Sequence, residues 1–207
     1  MRTKLLSLMG LACLYVSAMA AADNSTNVPR HSCCVEAAPP SSHLPGKSLY
    51  QLDARWTDDQ GKAMPLASLK GRPQIVTMFF AHCQYACPLL VYKIKQVEAA
   101  LPEEVRSNVC FTLVSFDSER DTPAALRTYR MQHELQGNWR LLHGGPDDVL
   151  NLAALLGVKF KQDAEGQFKH SNVITLLNAE GEIVYQEAGL NLATDELAHR
   201  IGQMVRH

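Results

Sequence analysis

Neither sign of charge dominates this chain: 20 Lys and Arg stand against 21 Asp and Glu, a formal net charge of −1. Without a basic field nothing gathers phosphate backbones, and nucleic acid is excluded as the expected partner. Cysteine is sparse as well. Six in 207 residues are too few for a mini-fold stapled by disulfides, in a chain long enough for one domain with its own core plus extensions. No four of them have the spacing that an iron–sulfur cluster needs. The methionines, Met64, Met78, Met131 and Met204 among them, are scattered and form no metal-binding tract, and no internal repeat is present. A 46% hydrophobic content excludes a disordered chain.

The N-terminus carries the export signal. Arg2 and Lys4 precede an apolar run, Leu5–Val16, and Ala18-Met19-Ala20 supplies the small residues that a signal peptidase reads. Residues 1–20 are expected to be a signal peptide for the periplasm, the alternative being an uncleaved anchor facing it. Cys13 is a small apolar residue of that leader. From 21 to 47 the chain is rich in Asn, Ser, Thr, Pro and Ala and reads as a flexible tail. His31, Cys33, Cys34 and His43 lie within it. They read either as a tail that happens to carry thiols or as an accessory soft-metal or redox site.

Residues 48–207 read as one domain. Ser48–Trp56 resembles an edge strand, turned back by Asp58-Asp59-Gln60-Gly61 to make an N-terminal β-hairpin. Gln74–Phe80 and Val109–Ser115 are nearly unbroken runs of β-formers, as in a parallel sheet covered on both faces. Between them Leu90, Ile94, Val97 and Leu101 recur at helical spacing, so Leu89–Leu101 is expected to be a crossover helix. A second helix is expected at Thr122–His133, and a third at Pro146–Leu156 before Gly157, as a helical insertion. Val173–Asn178 and Glu182–Gln186 flank a hairpin signal, and Thr194–Val205 closes the chain as a helix. The fold class is α/β, with a mixed central sheet flanked by helices. Trp56 and Trp139 read as core or rim packing, and Cys110, inside an apolar strand, as a buried small hydrophobe.

The chemistry concentrates in His82-Cys83-Gln84-Tyr85-Ala86-Cys87-Pro88, between a strand and a helix. Positions i and i+4 on a turn set their Cβ atoms about 5–6 Å apart. That suits two thiolates on one ion and, with small adjustment, a disulfide. Pro88 places Cys87 near the helix N-cap, where unpaired amides and the dipole favour thiolate, the form that binds metal and attacks disulfides. The plain alternative is a structural disulfide, which would remove little entropy from so short a loop. Sites in such sheets form beyond the C-terminal ends of the parallel strands. His170 precedes the Val173 strand. If that strand runs antiparallel to the other two, His170 shares the edge of the cysteine loop; if parallel, it sits at the opposite end.

Three segments in order, Cys83-Gln84-Tyr85-Ala86-Cys87-Pro88, Val114-Ser115-Phe116-Asp117-Ser118-Glu119-Arg120-Asp121-Thr122-Pro123, and His170-Ser171 before a strand and Glu180-Gly181, carry a resemblance. They resemble the Sco/SenC family of copper chaperones for cytochrome c oxidase assembly. The resemblance implies a thioredoxin-like fold and copper bound by Cys83, Cys87 and His170. It also implies delivery to the binuclear copper site of an oxidase subunit, or to another copper-accepting dithiol protein. Asp117 and Asp121 would lie beside the site, Asp117 to orient a ligand or meet a partner and Asp121 as a turn and helix-capping residue. Two thiolates and an imidazole suit copper, Cu(I) above all, whereas zinc would want His82 as a fourth ligand, and His82 is expected to point elsewhere. The sequence departs from the family's usual Pro-Asp-containing loop at Gln84-Tyr85-Ala86, and its leader looks cleavable where many members keep an anchor. A periplasmic thiol–disulfide oxidoreductase using Cys83 and Cys87 is the alternative function.

Overall fold

The computed structural model describes residues 45–205. The leader and the tail positions Cys33 and Cys34 lie outside the described residues. Nine strands and five helices follow one another from Trp56 to Val205. Seven strands form one sheet in the order β2-β1-β5-β4-β3-β8-β9: β1 (Trp56–Asp58), β2 (Ala63–Met64), β3 (Gln74–Phe79), β4 (Cys110–Ser115), β5 (Trp139–Gly144), β8 (Val173–Leu177) and β9 (Ile183–Ala188). β3, β4 and β5 are parallel, and β8 runs antiparallel to β3, with Thr77 opposite Ile174. The direction of β8 was the condition on which His170 depended, and it is met.

Every residue of β3 and β4 is buried, as the unbroken apolar runs require of strands covered on both faces. On one face, Phe79 packs against Tyr129 of α3 (Pro123–Gln132), their ring centroids 5.0 Å apart. On the same side α1 (Ala86–Ala100) lies against α5 (Thr194–Val205). Side chains alternate along a strand, so Val76 points to the other face. There it lines a small enclosed space with Leu152 of α4 (Pro146–Leu156), Leu49, Leu66 and Leu69. α4 ends at Gly157 in the left-handed conformation, φ +68°, as its sequence position foretells. A short helix, α2 (Glu103–Arg106), leads into β4. Among the described residues no helix is long and apolar enough to cross a membrane.

Away from the cysteine loop and the segment after β4, the structure differs from the sequence expectations in three places. Ser48–Trp56 is not one strand. Ser48 Oγ accepts from the Tyr50 N–H and starts a helical turn at Leu49–Gln51, and the N-terminal hairpin begins only at Trp56. The insertion between β4 and β8 holds the two expected helices and, between them, strand β5, which reads poorly because only Leu141 and Leu142 separate Arg140 from His143. A second, two-stranded sheet pairs β6 (Phe160–Gln162) with β7 (Phe168–His170). His170 therefore closes a small hairpin of its own rather than opening β8.

Candidate metal centre

β3 and β4 end at the same edge of the sheet, and the loops 80–85 and 116–122 leave from there. Because β8 is antiparallel, β7 reaches that edge from the other direction. The result brings Cys83, Cys87 and His170 together: one ligand atom from each lies within 4.8 Å of the other two. Cys87 Sγ is 3.7 Å from His170 Nε2, across 83 residues of sequence. Cys87 is fully buried, while Cys83 is partly exposed. The two sulfurs are not joined by a disulfide.

Helix α1 starts at Ala86, three residues earlier than its apolar period indicates, so Cys87 lies inside the first turn. Amides there have no partner within the helix. Tyr85, at the N-cap, contributes no side-chain bond. Cys83 Sγ takes that place, accepting from the Cys87 N–H at 3.3 Å. The sulfur thus sits where the helix presents a free donor and the positive end of its dipole.

The pair shares a proton unequally. A hydrogen bond from the Cys87 thiol, helped by the Cys87 and Tyr85 amides and by His170, brings Cys83 down from 9.0 to about 4 against the opposing effect of burial. Cys87 is pushed up by the same contact with Cys83 and by burial. At neutral pH the site is one thiolate, at the rim, and one thiol beneath it. Alkylation of the reduced protein by iodoacetamide is expected to modify Cys83 first, with a midpoint near pH 4, while Cys87 stays unmodified through neutral pH. A midpoint at the ordinary thiol value, with both cysteines reacting together, would contradict this assignment.

The imidazole of His170 is held from two sides. Its Nδ1 lies 3.3 Å from the Ser171 carbonyl, a contact that fixes the ring's orientation and turns Nε2 toward the sulfurs. Its ring packs against Phe116, at a centroid distance of 5.1 Å, and Phe80, at 5.9 Å. Phe160 and Phe168 of the hairpin pack on Phe116 at 5.0 and 5.1 Å. Sequence reasoning missed this aromatic floor. Its signal was the turn Asp163-Ala164-Glu165-Gly166 between two Phe-led triplets, Phe160-Lys161-Gln162 and Phe168-Lys169-His170.

Asp117 is buried, and its carboxylate takes the Arg120 guanidinium at 2.5 Å. Asp121 does not cap α3: Thr122 does, its Oγ1 accepting from the Ala125 N–H. Instead Asp121 is fully buried, accepting from the Ala81 N–H at 2.8 Å and the Ser115 hydroxyl at 2.6 Å. Burial pushes its carboxyl above the usual range. His82 turns away from the thiols, as expected, and its Nδ1 is 3.4 Å from Asp121 Oδ1. His82, Asp117 and Asp121 also lie within 4.8 Å of one another, but Arg120 already supplies the positive charge there. Cys110 is buried in β4.

A family model described as SCO1/SenC matches residues 45–206. The chain belongs to the SCO1/SenC family. A protein of Stutzerimonas stutzeri that carries the provisional name of a copper-binding protein is 27% identical over 130 residues, 61% of this chain. The match spans 63% of that relative's own length. The structure of Bradyrhizobium japonicum ScoI with copper bound superposes with a TM-score of 0.64 at 26% identity, covering 73% of this chain and 96% of that one. BsSco, a member of the Sco family of cytochrome c oxidase assembly proteins in which a disulfide switch is identified, shares the fold. Its TM-score is 0.64 at 21% identity, over 76% of this chain and 94% of that one. The thioredoxin-like α/β fold of the Sco proteins is thus the fold of this chain.

Proposed function

We propose that this protein is a periplasmic copper chaperone that binds one copper ion as cargo through Cys83, Cys87 and His170. It releases that ion to a dithiol acceptor, the binuclear copper site of a cytochrome c oxidase. The observation that carries the reading is the convergence of two sulfurs and an imidazole nitrogen within 4.8 Å of one another. Two soft sulfurs and one nitrogen suit Cu(I), which accepts low coordination. Supporting it are the relatives named for copper or solved with it, and oxidase delivery leans on the assembly role stated for the Sco family. The leader supports the periplasm.

The protons follow from the asymmetry of the pair. Cys83 meets the ion as a thiolate, and Cys87 releases its proton as it binds. Cys83, at the rim, is the sulfur an incoming thiolate can displace first. Tyr85 beside it is 84% exposed, so the approach is open. The test is competition titration with a chromophoric copper(I) chelator. Replacing His170 with alanine is expected to weaken binding about tenfold or more while leaving the thiols' reactivity toward disulfides intact. Unchanged copper affinity would remove His170 from the site.

The low value of Cys83 favours a second reading, thiol–disulfide exchange. Cys83 would attack a partner disulfide, one partner sulfur leaving as thiolate. Cys87 would then displace the mixed disulfide, forming Cys83–Cys87 and passing its proton to the departing sulfur. This chemistry needs no imidazole, so His170→Ala separates the two.

A further inference from the structure

We propose that Arg120 is a positioning residue, a clamp that fixes the β6–β7 hairpin so that His170 is held at the thiol pair. Its consequence for copper rests on the function proposed above, while the clamp itself stands on geometry. Two strands of three residues cannot hold themselves in water, and this hairpin is hydrogen-bonded to no strand of the main sheet. At its base, the Lys159 N–H donates to Ser171 Oγ and the Ser171 N–H to the Lys159 carbonyl, both at 2.8 Å. Its inner face carries Phe160 and Phe168. Its tip is gripped by Arg120: Nη2 donates to the Gly166 carbonyl at 2.5 Å, and the guanidinium lies 5.7 Å from the Phe168 ring centroid. With the tip released, the hairpin is free to tilt about residues 159 and 171, and His170 turns with it.

The clamp has a fixed anchor. Arg120 Nε donates to Asp117 Oδ2 at 2.5 Å, and the Arg120 amide to Asp117 Oδ1 at 3.2 Å. The Asp117 amide donates to Ser115 Oγ at 3.0 Å, and the Ser115 hydroxyl donates to Asp121, which also holds the Ala81 amide. One polar chain therefore runs from Ala81, just before Cys83, to Gly166, just before His170. It places the cysteine loop and the histidine hairpin against the same loop, 116–122. Only a planar fork with Nε and Nη donors at a set angle can bond both Asp117 and Gly166, so lysine is not an equivalent. Gly166 fits the grip: its φ is +76°, and a Cβ there would lie 3.2 Å from Arg120 Nη1.

The experiment is hydrogen exchange on the reduced, metal-free chain, followed by copper(I) competition. Arg120→Ala is expected to speed exchange of the 160–170 amides about tenfold or more with β3 and β4 unchanged. Arg120→Lys should fall between, and Gly166→Ala, which leaves Arg120 in place, should resemble Arg120→Ala. Copper affinity should drop about tenfold, and adding His170→Ala to Arg120→Ala should cost little more, because the imidazole is already misplaced. Wild-type exchange of the hairpin in Arg120→Ala would overturn the clamp. So would a loosened hairpin in which His170→Ala still exacts its full factor. If His170→Ala costs nothing even in the wild type, the ligand role of His170 fails, and the hairpin exchange decides the clamp by itself.

Discussion

Cys87→Ser is expected to weaken copper(I) binding by more than about a hundredfold, beyond what loss of a supporting residue causes. Cys87 is fully buried, 3.7 Å from His170, and lies in the first turn of α1. Serine fits the same space and suits a helix start, so the fold stays and only the soft donor is lost. Cys83→Ser should bring a loss of the same order, since its hydroxyl can still accept from the Cys87 amide but offers no soft donor. Chelator competition on reduced protein reads both. An affinity within threefold of wild type for Cys87→Ser would place the copper elsewhere.

Asp59→Ala should give the largest loss of stability, about 3 kcal/mol. Asp59 is 2% exposed, and its two oxygens take Arg130 Nε at 2.6 Å and Nη2 at 2.9 Å. The same guanidinium donates to the Gln136 carbonyl at 2.9 Å and the Trp139 carbonyl at 2.8 Å, so it ties the N-terminal hairpin and α3 to the start of β5. Without the carboxylate a mostly buried cation is left uncompensated. Water reaches the partly exposed Arg130 side chain, which keeps the cost at the lower end of the range for broken buried pairs. Thermal unfolding should fall by about 6–12 °C. Burial alone would raise the Asp59 carboxyl, but the Arg130 bonds outweigh it and hold the carboxyl below its ordinary value. The stabilisation is therefore full above the unfolded carboxylate value near 4 and vanishes as the pH drops through the lower folded one. The gap between wild type and Asp59→Ala should close in acid. A gap that is constant with pH would deny the ion pair its role.

The thiol pair was legible because its chemistry is local: five residues between a strand and a helix decide it. His170 was legible only through topology, since its approach to Cys87 depends on β8 running against β3. Copper and the ligand set came from the resemblance carried by three motifs, not from periodicity. What stayed hidden was non-local or weakly patterned. β5 shows only two consecutive leucines, and its burial comes from neighbours far along the chain. The β6–β7 hairpin is largely polar, and it is ordered by Phe116, Phe80 and Arg120 rather than by its own sequence. Asp121 looked like a helix cap because Thr122-Pro123 follows it. Only the fold shows Thr122 capping and Asp121 reaching back to Ala81.

The central claim is that one copper ion sits on two sulfurs and one imidazole. X-ray absorption at the copper edge of the Cu(I)-loaded, exported protein tests it. The account expects two sulfur scatterers and one histidine nitrogen per copper, with the nitrogen lost in His170→Ala and one sulfur lost in Cys83→Ser. A shell without sulfur, or one that survives unchanged in the Cys83→Ser and Cys87→Ser variants, would contradict it.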